Sequence, residues 1–84
     1  MQTYREQFDS AMQCETKEQA DAWLEAEVLT YKQDHGVESA EALRTIRINL
    51  GYMAGYYDQA TADKVLRLFG AAHPIFGAGA SREN

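Results

Sequence analysis

The chain has 84 residues, a formal net charge of -5 and a single cysteine, Cys14. One domain of this size builds only a small core, and one cysteine excludes an internal disulfide. The acidic balance lacks the dense Lys/Arg face that phosphate neutralisation requires, which excludes ordinary DNA or RNA binding, and no apolar run resembles a signal peptide or membrane span.

These bounds predict a soluble, cytoplasmic protein. Residues 1–42 carry ten acidic and three basic side chains, against three acidic and five basic in residues 43–84. The acidity therefore sits in the first half, where it keeps the protein in solution or meets a basic partner. Cys14 has no second cysteine and no histidine near it in sequence, so it is expected to be a small buried side chain.

In chain order, Tyr4, Phe8, Ala11 and Met12 form a short apolar stripe that predicts a first helix over about residues 2–13. Thr16-Lys17-Glu18-Gln19 follows as a capping box, with the Thr16 hydroxyl serving the third amide and Gln19 reaching back. It opens a long second helix that ends at Gly36, with Ala20, Trp23, Leu24, Val28 and Tyr31 on its inner face. His35 falls in its last turn, where a cation favours the helix dipole and an imidazole reaches terminal carbonyls. Ser39 is the expected cap of the third helix, with Val37 as the staple residue. Asp58 caps a fourth, which turns Ala62, Val65, Leu66 and Phe69 inward and stops at Gly70.

The third helix is the unusual one. At about 100° per residue, Leu43, Ile46, Leu50, Met53 and Tyr57 fall on one narrow stripe that suits the chain's own core. Ile48, Tyr52 and Tyr56 fall on the roughly opposite side, flanked by Gly51 and Gly55, which gives the helix a second apolar face. Two glycines cost about 1 kcal/mol each in a helix, so they point to the close approach of another backbone. That backbone is another helix or the chain's own tail, a symmetric copy, or the wall of a ligand groove. Arg44, Arg47 and Asn49 exclude a membrane-spanning role for the glycine pattern.

Arg44 and Arg47 lie one turn apart and are the most suggestive charged pair. They either clamp a phosphate or carboxylate, with Tyr52 and Tyr56 stacking a base, or pair with Glu25, Glu27 or Glu41. His-x-x-x-His, Glu-x-x-His, Cys-x-x-Cys and phosphate-loop patterns are missing, so no metal, no cofactor and no catalytic residue is expected. The segment 71–77, with Pro74, Ile75 and Phe76, cannot extend the fourth helix and is expected to dock against the Gly51/Gly55 side, with His73 in that contact. Residues 78–84 are expected to fray.

Asn49-Leu50-Gly51-Tyr52-Met53-Ala54-Gly55-Tyr56-Tyr57-Asp58, followed by Thr61, Val65, Leu68-Phe69 and His73-Pro74-Ile75-Phe76-Gly77, resembles a pattern in small bacteriophage and mobile-element proteins. It spans about the C-terminal half and implies an origin, with no activity attached. The expectation is an all-α domain over 1–77, a small antiparallel bundle of three to four helices with an extended C-terminal segment docked on it. Its function is expected to be non-enzymatic: a phage accessory or host-modulating factor that self-associates, as a dimer first, and binds a host or phage protein through Ile48, Gly51, Tyr52, Gly55 and Tyr56. The alternative is a nucleotide- or anion-binding protein using Arg44, Arg47, Tyr52 and Tyr56.

Overall fold

The computed structural model describes residues 3–71, which form an all-helical bundle with no strand among them. The helices are α1 (Tyr4–Ala11), α2 (Lys17–His35), α3 (Ser39–Ala54) and α4 (Gln59–Phe69). The expected docking of 71–77 and fraying of 78–84, and the role given to His73, fall almost wholly on positions outside the described residues.

Side-chain caps set most of the boundaries. The Thr16 hydroxyl accepts from the Gln19 amide at 3.1 Å, and Gln19 Oε1 accepts from the Thr16 and Glu15 amides at 3.3 and 2.7 Å. Donors that the first helical turn leaves orphaned are thereby satisfied. The same box recurs at Thr3-x-x-Glu6, which shortens the expected first helix to begin at Tyr4. Gly36 and Gly70 end α2 and α4 with positive φ of 65° and 66°, the left-handed conformation that glycine adopts without a Cβ penalty.

Asp58 accepts from the Thr61 amide at 2.9 Å and opens α4. Thr61, first through its side chain and then through its backbone, holds the Asp58 carboxyl below its ordinary value of 3.8. The unfolded chain therefore takes up this proton at a higher pH than the folded one. The cap's contribution is complete above the ordinary carboxylate range and fades as pH falls through the folded value. Urea unfolding at pH 7 and pH 3 should show a smaller acid-induced loss of stability in Asp58→Asn than in the native chain; equal losses would remove Asp58 from the acid response.

Two expectations need correction. Ser39 is the first helical residue of α3 and not its cap; Glu38 takes the cap position and makes no side-chain bond there. In α4, Leu66 is 50% exposed, whereas Leu68 is buried beside Val65 and Phe69. The helix packs against both α2 and α3, so its buried arc is set by two neighbours and is wider than one seam.

α1 and α2 run antiparallel, as two side-chain pairings between them show. Between α1 and α2, Gln7 Nε2 donates to Glu27 Oε2 at 3.0 Å and Trp23 Nε1 donates to the Ser10 hydroxyl at 2.9 Å. Leu24 and Val28 of α2 share a groove with Ala40, Leu43 and Arg47 of α3. The core gathers Phe8, Leu24, Ile46, Leu50, Val65, Leu68 and Phe69. Trp23 meets Phe69 edge-on at 5.5 Å between ring centroids. Tyr57 stacks on Phe8 at 5.0 Å yet stays half exposed, so it lies at the rim of the stripe and not within it.

Candidate functional site

Among the described residues, α3 buries one side against the bundle. Ala42, Ile46, Leu50 and Ala54 are buried against the other helices, and Leu43 and Met53 pack on that core half-buried. About half a turn away, Ile48 keeps 45%, Tyr52 49% and Tyr56 81% of its surface exposed. Ile48 and Tyr52 lie one turn apart on the helix, and Tyr56 follows in the turn just after its end. An isolated exposed hydrophobic residue is ordinary, but three close in sequence form a patch.

The glycines behave differently from one another. Gly51 is buried, while Gly55 is half-buried and closes α3, its amide bonding to the Gly51 and Tyr52 carbonyls at 3.3 and 3.1 Å. Gly51 thus belongs to the enclosed side of the helix and Gly55 to its end, leaving Ile48, Tyr52 and Tyr56 as the exposed members of the expected contact.

The two arginines also part company. Arg47 turns inward and donates its Nε–H to the Phe69 carbonyl at 2.9 Å, serving an acceptor that the end of α4 leaves orphaned. Its guanidinium lies 3.8 Å from where a Cβ on Gly70 would sit. Arg44 stays exposed, and among the described residues it pairs with no carboxylate. A cavity of about 370 Å³ brings Arg44 and Arg47 together with Ile48 and Gly70, but Tyr52 and Tyr56 do not line it. The four residues of the anion-binding alternative do not share this cavity. Replacing Arg47 by methionine should cost about 1–3 kcal/mol, because the buried Phe69 carbonyl loses its charged donor. Thermal unfolding checks this; an unchanged midpoint would return Arg47 to the pool of free ligand-binding groups.

Sequence reasoning overlooked a polar cleft of about 770 Å³ between α1, α2 and α3, walled by Tyr4, Gln7, Glu27, Tyr31, Asp34 and His35. No local signal marks it, since it arises from helices packing across a separation of twenty residues. The His35 ring lies against Tyr31 at 4.2 Å between centroids, so its contact in the last turn of α2 is with an aromatic face. Cys14 is buried, and burial pushes its thiol above its ordinary value of 9.0, opposed by Lys64 and reinforced by Glu15. Lys64 itself donates to the Met12 carbonyl at 3.2 Å and lies 3.4 Å from Glu15 Oε2, tying α4 to the end of α1.

Among the described residues no group of three or more His, Cys, Asp and Glu is placed to hold a metal, and no helix is long and apolar enough to cross a membrane. Comparison with protein-family models, curated proteins and solved structures yields no match.

Proposed function

We propose that this chain is a non-enzymatic protein–protein interaction protein whose docking surface is the outer face of α3. The observation that carries the reading is the exposure of Ile48 and Tyr52 on a helix that already buries Ile46 and Leu50 in its own core, with exposed Tyr56 in the turn that follows. Tyrosine suits such a surface because it offers a large apolar body and a polar tip that tolerates water when the partner leaves. Self-association covers the patch in the absence of another protein, and a host or phage protein is the heterologous partner. We propose in addition a bacteriophage or mobile-element origin, under which the role would be an accessory or host-modulating one.

Light scattering coupled to size exclusion tests this reading. At about 100 μM, where weak dimers are populated, the native chain should elute above its 9.4 kDa monomer mass. Tyr52→Asp, which places a charge in the patch without touching the core, should elute as the monomer. A native monomer, or an assembly that Tyr52→Asp leaves unchanged, would overturn the reading.

A further inference from the structure

We infer that the cleft between α1, α2 and α3 is a binding site for an alkylguanidinium group, with the Asp34 carboxylate as its anionic partner and Tyr4 and Tyr31 as its aromatic walls. It shares none of Ile48, Tyr52 and Tyr56, so this inference and the docking reading stand or fall separately. The cleft holds about 770 Å³, inside the range of about 300–1,000 Å³ where small-ligand pockets lie. Three helices build it, so packing of the bundle sets its walls.

The lining fixes the sign of the occupant. Glu27 and Asp34 line the cleft, and no lysine or arginine does. The two carboxylates are seven residues apart on α2, which is two turns and about 10 Å, with Tyr31 between them on the same face of the helix. Glu27 already accepts from Gln7 at 3.0 Å. Asp34 is exposed and engages no cation or donor among the described residues, so a cation that meets it has no ion pair to displace.

The tyrosines favour guanidinium over ammonium. A guanidinium is planar, offers a carboxylate two parallel N–H donors and lies flat on an aromatic ring, whereas an ammonium is a compact, strongly hydrated point charge. Tyr4 is 67% exposed and Tyr31 half-buried, so both rings can be reached from the cleft. The group arrives either on a free guanidine compound or as an arginine side chain of a polypeptide.

Amide-shift titrations of the full chain with butylguanidine and with acetyl-Ala-Arg-Ala-amide test the site and separate these sources. Shifts should centre on Tyr4, Gln7, Tyr31 and Asp34. Tighter binding of the peptide assigns an arginine side chain; equal or tighter binding of butylguanidine assigns a free compound. Asp34→Asn should raise the dissociation constant at least about tenfold, through loss of a charge-assisted pair, and Tyr4→Leu about threefold, through loss of a cation–ring contact. Glu18→Gln removes the same charge from an exposed carboxylate outside the cleft and should leave binding within about twofold, since salt screens it. All three replaced side chains are exposed, and circular dichroism verifies that the variants fold; the shift map of the native chain stands without them. No shifts in the cleft, equal effects of Asp34→Asn and Glu18→Gln, or equal affinity for butylamine would each overturn the assignment.

Discussion

Phe69→Ala is expected to remove about a quarter or more of the chain's stability. Phe69 is fully enclosed, meets Trp23 edge-on, and sits where α4 closes on α2 and α3. Truncating a buried phenylalanine costs about 3–5 kcal/mol, through lost transfer energy and the cavity left behind. At 0.05–0.15 kcal/mol per residue, a chain of 84 residues has about 4–13 kcal/mol in total. The melting temperature should fall by at least about 12 °C. The change also loosens the segment whose carbonyl Arg47 serves, so the end of α4 should lose amide-exchange protection first. A melting temperature within a few degrees of native would mean that Phe69 is not the keystone its burial indicates.

Ile46→Ala and Ile48→Ala should separate stability from assembly on one helix. Ile46 is completely buried, so its truncation should cost about 2–5 kcal/mol and lower the urea midpoint accordingly. Ile48, two residues on, lies toward the other side of the helix and keeps 45% of its surface exposed. Its truncation should change monomer stability by less than about 0.5 kcal/mol while weakening association. The two variants would differ in opposite ways in two assays, which a general loss of structure cannot imitate. Should Ile48→Ala prove as destabilising as Ile46→Ala, the patch is part of the core and the docking surface disappears.

Much of the fold is legible in the residues because its boundaries are written locally. Thr16 with Gln19, Asp58, Gly36 and Gly70 each act within four residues of their own position, and all four perform as their types dictate. Thr3 with Glu6 carries the same signal and simply stands too near the start of the stripe to be noticed. Ser39 misleads because Glu38 before it adopts the extended cap conformation first, so the hydroxyl falls inside the helix. Leu66 and Leu68 are hard to tell apart by period alone, since both lie within reach of the buried arc of α4. Only the simultaneous presence of α2 and α3 selects Leu68.

The candidate site divides along the same line. The exposure of Ile48 and Tyr52 follows from their phase against Ile46 and Leu50, which the helical repeat supplies directly, whereas Tyr56 falls in the turn beyond the helix. The fate of Arg47 does not, because its partner is a backbone carbonyl twenty-two residues away, and no side-chain pattern announces a carbonyl. Gln7 is a similar case: a polar residue becomes buried because Glu27 arrives across the α1–α2 contact to accept its amide proton. Pairing rules based on charge look for an arginine beside Glu27 and do not announce this amide donor from α1.

The most direct measurement of the central claim is the concentration dependence of backbone amide shifts, followed from about 1 mM down to 10 μM, a range that brackets weak association. Shifts that move on dilution should cluster at Ile48, Tyr52 and Tyr56, with Leu29 on α2 and Leu66 on α4 stationary, although both are as exposed. Spectra that do not change with concentration, or changes centred on Leu29 or Leu66, would contradict the account.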